Sequence, residues 1–251
     1  MLNELNNLKI NFFFSSITSI RNYMKWNNKY NYPKSTRSII HGSRHYAVNQ
    51  ESLPSVTTIL KATESEEKKA KLAEWKERVG FKQAEIIKQE ASSRGSSMHD
   101  YLEKFLLGKL NMDLLGDNTR EKMMADQIIE NGLRNKLEEI WGCEATLYYP
   151  GKYAGAADCI GVYENKETII DFKQSNKPKK DEWIEDYYLQ CAAYGLAHNT
   201  VYGSNISQAV ILLCTKDNMF QRFIIDGEKF NDYQKKFLLK VEQFYEQRRM
   251  N

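Results

Sequence analysis

The sequence predicts an α/β protein with a mixed central sheet flanked by helices. Segments with the helical spacing of apolar residues come first, up to about residue 140. Short β-rich runs separated by turn signals follow, and then a helix, two further strands and a closing helix. This order of elements is typical of an α/β sandwich built around one sheet.

The first predicted elements precede the sheet. The stretch LPSVTTIL, residues 53–60, predicts an extended segment that turns into a helix, and residues 64–90 predict an amphipathic helix. The inward positions of that amphipathic helix are expected to be Trp75, Val79 and Ile86. These helices lie ahead of the strands in the chain, so we expect them to form an N-terminal addition to the sandwich.

A second helix is predicted where Gly95 interrupts the apolar pattern. Ser96 or Ser97 is a suitable N-cap for it, and Gly108 follows its last apolar residue. His99 lies in the first turn of this predicted helix. A third amphipathic helix is predicted over residues 119–140, ending near Gly142. Its expected inward positions are Met123, Ile128, Leu133 and Leu137.

Three short β-rich runs follow, namely EATLYY, AADCIGVY and ETIIDF. The turn signals PGKY and ENK separate them, which predicts a three-stranded antiparallel meander. The last run is apolar on both faces and is therefore expected in the middle of the sheet. The remaining predicted elements are a helix at 181–199, strands at 208–215 and 220–225, and a helix at 229–248.

Length and charge suggest one domain with an extension. A chain of 251 residues with 41% hydrophobic residues can bury one substantial core. Residues 5–50 hold seven Lys and Arg and no Asp or Glu, although the net charge of the whole chain is only +3. We therefore expect a basic N-terminal extension at 1–45, suited to an anionic partner, and a single domain at 46–251.

Two acidic side chains interrupt strand-like sequence that is otherwise apolar. Asp158 and Asp171 lie on consecutive strands of the predicted meander, and the turn between those strands brings them to nearly the same level. Lys173 follows two residues after Asp171 and so points to the same face. A salt bridge to Lys173 explains either aspartate alone, whereas two converging carboxylates suit Mg²⁺ or Mn²⁺. Beside such a metal, Lys173 could orient an attacking water.

These residues resemble the RecB-like branch of the PD-(D/E)XK nuclease superfamily. DFK at 171–173 resembles its D-x-K element, RGSSMHDYLE at 94–103 its opening helix with a metal-binding histidine, and QCAAY at 190–194 its Q-x-x-x-Y element. Within that branch the combination is most similar to the mitochondrial genome maintenance exonucleases and their phage relatives. The resemblance covers about residues 40–248 and implies a restriction-endonuclease-like core with extra N-terminal helices.

The resemblance also implies an activity and a set of site residues. The activity is exonucleolytic hydrolysis of single-stranded DNA from free ends, in DNA replication, repair or degradation. The expected catalytic residues are Asp158, Asp171 and Lys173, and the expected ligands of Mg²⁺ or Mn²⁺ are His99, Asp158, Asp171 and the Phe172 carbonyl. Residues expected to support the site or bind substrate are Glu144, Gln190, Tyr194, Lys177, Lys179 and Lys180.

Several alternatives stay open at this point. His99 could be an ordinary helix histidine, and Glu144 could be either a carboxylate that approaches the metal through water or a plain strand-end residue. Gln190 and Tyr194 share a helix face and could be ordinary polar positions of that helix. The same core could also belong to a structure-specific endonuclease or to a DNA-binding module without catalysis.

The cysteines and the hydropathy pattern indicate in which cellular compartment the protein is expected. The four cysteines are widely spaced and lack the grouping of an iron–sulfur site, so no cluster is expected and a reduced, intracellular protein is predicted. No apolar run is long enough to cross a membrane. A monomer in a bacterial or phage-infected cytoplasm is expected, with the mitochondrial matrix as the alternative because the basic start could be a transit peptide.

Overall fold

A six-stranded mixed sheet forms the centre of the protein, in the order β1-β5-β6-β7-β8-β9. The computed structural model describes residues 24–109 and 119–249. The strands of this sheet are β1 (Lys25–Trp26), β5 (Leu137–Tyr149), β6 (Tyr153–Tyr163), β7 (Lys166–Ser175), β8 (Gln208–Thr215) and β9 (Phe220–Asp226). The fold is therefore α/β with a mixed sheet, as the sequence predicts.

Strand directions explain the mixed character of the sheet. β5, β6 and β7 form an antiparallel meander. β8 then joins β7 in parallel, which requires the crossover helix between them, and β9 returns antiparallel to β8. Every residue of β8 is buried, as expected for a strand covered on both faces. The predicted meander and the central position of β7 are both confirmed.

Helices cover both faces of this sheet. They are α1 (Val56–Ala62), α2 (Glu66–Val79), α3 (Phe81–Leu106), α4 (Arg120–Ile128), α5 (Glu185–Tyr202) and α6 (Gly227–Arg249). On one face α1, α5 and α6 pack on the sheet, with Tyr188 and Phe237 among the buried residues. On the other face α3 and α4 pack, with Leu102 and Ile128 buried. Within the described ranges, no helix is long and apolar enough to span a membrane.

The break between the first two long helices lies at Gly80 and not at Gly95, so that prediction was wrong. Gly80 has a φ of +85°, a conformation that glycine adopts readily and that ends a helix. Gly95 lies inside α3, which runs without interruption from Phe81 to Leu106, so neither Ser96 nor Ser97 is an N-cap. Ile86 is exposed rather than inward.

The third predicted helix is shorter than expected because its last part is strand. α4 ends at Ile128, a π-helical turn covers Ile129–Leu133, and β5 has begun by Leu137. Met123 is exposed, whereas Ile128, Leu133 and Leu137 are buried as predicted. Leu137 is buried in β5, as it would have been in the predicted helix, so its burial does not distinguish a helix from a strand.

A second, three-stranded sheet lies before α1. Its strands are β2 (Thr36–Ile40), β3 (Ser43–Val48) and β4 (Glu51–Pro54), in antiparallel order. Tyr46, Val48 and Leu53 pack against Ala154 of β6 and so attach this sheet to the meander. The boundary expected at residue 45 thus falls within β3, and residues 1–23 lie outside the described part of the chain.

An aromatic cluster ties the segment after β1 to the main domain. Tyr30 and Tyr32 pack around the fully buried His198 of α5, whose Nε2 lies 3.0 Å from the Tyr32 hydroxyl. The ring centroids of Tyr30 and His198 are 4.6 Å apart. Tyr30 and Tyr32 therefore pack against the hydrophobic core of the main domain. All four cysteines lie in the described ranges and are free thiols.

Candidate active site

Two aspartates meet across the middle of the sheet. Cys159 of β6 pairs with Ile170 of β7, so the same register continued by one residue places Asp158 opposite Asp171. One Asp158 oxygen accepts a hydrogen bond of 2.8 Å from the backbone N–H of Phe172. The antiparallel hairpin thus brings together the two carboxylates as the sequence predicts.

Glu144 extends this row of carboxylates onto β5. Its neighbours Cys143 and Ala145 pair with residues on either side of Asp158, which leaves Glu144 opposite that aspartate. The φ of Glu144 is +49°, a strained conformation for a residue with a Cβ, costing on the order of 1 kcal/mol. A row of three acidic side chains therefore crosses three adjacent strands.

His99 reaches this row from α3. Its Nε2 lies 2.8 Å from the Phe172 carbonyl oxygen, and its Nδ1 lies 3.7 Å from an Asp158 oxygen. Possible ligand atoms of His99, Glu144 and Asp158 all lie within 4.8 Å of one another. Sequence reasoning left Glu144 between two interpretations, and the structure places it in this cluster.

A clamp between α3 and β7 holds His99 in position. The buried Arg94 donates a hydrogen bond of 2.9 Å from Nε to the Gln174 side chain, and it also binds Asn176. Gln174 in turn donates to the carbonyl of Ala91, at 2.9 Å. The RGSSMH stretch therefore contributes an arginine that fixes the helix as well as the histidine.

Asp171 and Lys173 form a buried ion pair on the same face of β7. The Asp171 side chain is only 2% exposed, and this burial raises its pKa to about 6, although Lys173 opposes the shift. The nearby aspartates raise the pKa of Lys173 above its ordinary value, against the effect of its own burial. Its Nζ also lies 5.1 Å from the ring centroid of Tyr187, a contact that the sequence did not suggest.

The electrostatics of Glu144 follow from its neighbours. Although Glu144 as a whole is exposed, partial desolvation of its carboxyl, together with the charge of Asp158, raises its pKa to about 7. Glu103, one turn after His99, adds to the rise, whereas His99 and Arg37 oppose it. The concentration of acidic groups here favours binding of a cation.

Many of these groups line one cavity of about 310 Å³, whereas Asp171 and Arg94 are not among its lining residues. Residues expected from the sequence that line it are His99, Glu144, Asp158, Lys173, Gln190 and Tyr194. Further lining residues that the sequence did not indicate are Arg37, Arg44, Tyr46, Ser55 and Thr57, all from the three-stranded sheet and the start of α1. The only sequence signal for the two arginines was the basic charge of the N-terminal segment.

Gln190 and Tyr194 lie side by side on α5, where the Gln190 amide is 3.4 Å from the Tyr194 hydroxyl. The Tyr194 ring rests against Gly155, and a Cβ on that glycine would lie 2.7 Å from a ring carbon. The absence of a side chain at position 155 therefore allows Tyr194 to approach the sheet closely.

The lysine run after β7 lies apart from the cavity lining. Lys177 and Lys180 are exposed, and the backbone of Lys179 hydrogen bonds with the Gln221 side chain on the β9 side. Lys180 pairs with Glu182 at 3.8 Å. None of these three lysines is among the residues that line the cavity.

The donor set fits a hard divalent cation. Two carboxylates and an imidazole within 4.8 Å offer the oxygen and nitrogen ligands that suit Mg²⁺ or Mn²⁺. The Phe172 carbonyl lies beside His99 and adds a neutral oxygen. Asp171 adjoins this group, but one of its oxygens is paired with Lys173. Glu144 thus completes the three-residue group at the position where the sequence had favoured Asp171.

Comparison with known proteins bears on this site. The chain is 29% identical over 213 residues to mitochondrial genome maintenance exonuclease 1 of Mus musculus, which covers 80% of this chain and 62% of the relative. It is 26% identical over 211 residues to the Homo sapiens protein of that name, covering 78% and 59%. The chain resembles mitochondrial genome maintenance exonuclease 1. It spans about three fifths of the length of these curated relatives.

Comparisons with protein families and with solved structures give two further findings. No protein-family model matches the chain. A crystal structure from Eubacterium rectale, described as that of a candidate exonuclease, is 16% identical, covers 61% of this chain and 64% of the other, and has a TM-score of 0.39. The resemblance to mitochondrial genome maintenance exonuclease 1 confirms the one that the motifs had indicated.

Proposed function

We propose that the protein is a metal-dependent exonuclease that hydrolyses phosphodiester bonds of single-stranded DNA from free ends. The observation that carries this proposal is the convergence of His99, Glu144 and Asp158 beside the Asp171–Lys173 pair around one cavity. The names of the curated relatives support a nuclease. A role in DNA replication, repair or degradation follows from such an activity.

In this proposal His99, Asp158, Asp171 and the Phe172 carbonyl hold Mg²⁺ or Mn²⁺, and Glu144 joins them. A bound divalent ion supplies Lewis acidity at the phosphate and makes water more acidic. Lys173, held by Asp171 and the Tyr187 ring, orients the attacking water.

Other polar groups of the site act on the substrate in this proposal. Gln190 and Tyr194 border the scissile phosphate from α5. Lys177, Lys179 and Lys180 bind phosphates further along the strand by charge alone.

The preference for ends rests on the helices ahead of the sheet. α2 buries none of its side chains, and Leu72 and Phe81 are 46% and 70% exposed. Of these two helices, α3 lines the cavity of about 310 Å³ through Gly95, Ser96 and His99. In this proposal the exposed surface of both helices guides a single strand to that cavity. Threading through such a passage requires a free end.

A nuclease assay with matched substrates tests the proposal. Labelled linear single strands should be degraded to short products in Mg²⁺ or Mn²⁺, a covalently closed single-stranded circle should survive, and EDTA should stop the reaction. Asp158→Asn, Asp171→Asn and Lys173→Ala should each abolish cleavage. Asp232→Asn is a matched control because Asp232 is exposed on α6. Nicking of the circle by the protein, lost in Asp171→Asn, would favour an endonuclease instead.

The proposal extends to organisation and setting. Residues 46–251 form a single nuclease domain in this proposal, and residues 1–45 form a basic extension whose described part adds β1, β2 and the start of β3 to the sheets. The protein acts as a monomer on DNA, in the mitochondrial matrix or in a bacterial or phage-infected cytoplasm. Digestion of full-length protein followed by mass analysis tests the domain boundary, and light scattering tests the monomer.

A further inference from the structure

Two arginines line the same cavity as the acidic cluster. Arg37 of β2 and Arg44 of β3 both line it, beside the buried Tyr46. Among residues 24–109 and 119–249, neither guanidinium has a hydrogen-bonded or ion-paired carboxylate. Glu144 interacts with Arg37 electrostatically, without such a direct contact. Two exposed cations that line the same cavity as the catalytic groups favour an anionic ligand.

The strand register places both arginines on one face of the hairpin. Arg37 pairs with Tyr46, and Ile39 pairs with Arg44. Directly opposed residues share a face, and residues two apart on one strand share it as well. Arg37, Arg44 and Tyr46 are therefore neighbours on the face that looks into the cavity.

The backbone that carries these arginines is well anchored. The Arg44 carbonyl accepts hydrogen bonds from the Ser55 N–H at 2.9 Å and from the Thr58 hydroxyl at 3.0 Å. Near the other strand, the Ser35 hydroxyl lies 2.8 Å from that of Thr146 on β5. A ligand that binds here therefore meets a preformed surface and loses little free energy to ordering of the backbone.

We propose that Arg37 and Arg44 bind a phosphate group of the nucleic-acid strand other than the one that is hydrolysed. Guanidinium groups bind phosphate through paired, charge-assisted hydrogen bonds. The residues of the acidic cluster hold the reacting phosphate. The arginines hold a neighbouring phosphate of the same strand, and this contact positions the bond to be cut at the catalytic groups. This inference rests on the proposed function, because it assigns a substrate contact in the same cavity.

Binding and cleavage measured separately test the inference. Affinity for an internally labelled single-stranded oligonucleotide is measured by fluorescence anisotropy in EDTA, for wild type, Arg37→Gln, Arg44→Gln and the double variant. Each single change should weaken binding about tenfold, as expected for loss of about 1.4 kcal/mol. The slope of log affinity against log salt should fall by roughly 0.7 in the double variant, as expected for one phosphate contact. Arg249→Gln, an equal charge change at the exposed end of α6, should leave both quantities unchanged.

The form of the phosphate is read from matched probes. Oligonucleotides with a 5′-hydroxyl, a 5′-phosphate or a 3′-phosphate are compared in the same titration. An equal loss of affinity for all three in the double variant identifies an internal phosphodiester, and a loss confined to one phosphorylated probe identifies a terminal phosphate. Either result supports the inference.

A stability control accompanies these titrations. Because the Arg37 and Arg44 side chains are exposed, thermal melting of the variants should match wild type.

The result that overturns the inference differs from the one that overturns the nuclease proposal. Unchanged affinity and unchanged KM in the double variant, with normal cleavage, would remove the phosphate site and keep the nuclease. Absence of cleavage in Mg²⁺ and Mn²⁺, with arginine-dependent binding intact, would remove the nuclease and keep the phosphate site. A wild-type protein that binds none of the probes would overturn both.

Discussion

Replacement of Lys173 by Met should destabilise the metal-free protein, and the loss should depend on pH. Asp171 is 2% exposed and pairs with Lys173, so Lys173→Met leaves a buried carboxylate without its cation. In wild type the pKa of Asp171 is already raised from 3.8 to about 6, which corresponds to about 3 kcal/mol. Loss of the lysine removes an interaction that lowers this pKa, so the pKa rises further.

The direction of the pH effect follows from proton binding. In the variant the folded state holds a proton on Asp171 at pH values where the unfolded state does not. Stability is therefore fully present below about pH 4, the pKa of the unfolded state, and is lost as the pH rises through the folded pKa. The slope cannot exceed about 1.4 kcal/mol per pH unit for one proton. Near neutral pH the expected loss is about 3 to 5 kcal/mol relative to wild type.

Urea denaturation in EDTA at a series of pH values measures this effect. The double variant Asp171→Asn/Lys173→Met removes the titrating group, so its stability relative to wild type should lack the steep loss of the single variant. Lys173→Met should approach the double variant in stability as the pH falls towards about 4. A loss of equal size at every pH would refute the reasoning, because it would arise from packing and not from the buried charge.

Three further predictions concern groups around the site. Gly155→Ala should displace the Tyr194 ring, which would lie 2.7 Å from the new Cβ, and should lower kcat by about tenfold in steady-state assays while the protein stays folded. Arg94→Met should release α3 from β7, reduce the free energy of unfolding by about 2 kcal/mol and reduce the thermal shift on adding Mn²⁺, since His99 moves with the helix. His198→Gln should remove a loss of up to about 3 kcal/mol that wild type suffers between about pH 6.5 and 4, because burial lowers the His198 pKa to about 4. Urea denaturation across that pH range checks the last of these.

The strands from residue 144 onward were predictable because their side chains carry the signal, whereas β1, β2, β3 and the first part of β5 were not predicted. β8 is apolar at almost every position, and its central place in the sheet requires that. Helix boundaries were harder, since a glycine inside a helix costs only about 1 kcal/mol and tertiary contacts can outweigh it. Arg94 and Met98, on either side of Gly95, bind or pack against the sheet side and keep α3 continuous. At Gly80 a Cβ would meet no atom within 4 Å, and the φ of +85° ends the helix.

The two aspartates and the lysine could be brought together from sequence because one short turn sets their register. The basic wall of the cavity could not, because Arg37 and Arg44 reach the site only through packing of a separate sheet on the meander, a contact between segments about a hundred residues apart. No local pattern encodes such a contact. Their sequence signature was limited to charge, which indicated an anionic partner but no position for it.

Glu144 combines a strained backbone conformation with a place in the acidic cluster. Regular pairing on both sides of it, at Cys143 and Ala145, means that the strain is confined to one residue. Its ligand atoms lie within 4.8 Å of those of His99 and Asp158, so the strained residue is also the one that brings a third donor to the cluster. A glycine at position 144 would relieve the strain and lose the carboxylate. Retention of strain of about 1 kcal/mol at a position that glycine could fill is best explained by the work of the carboxylate in the cluster.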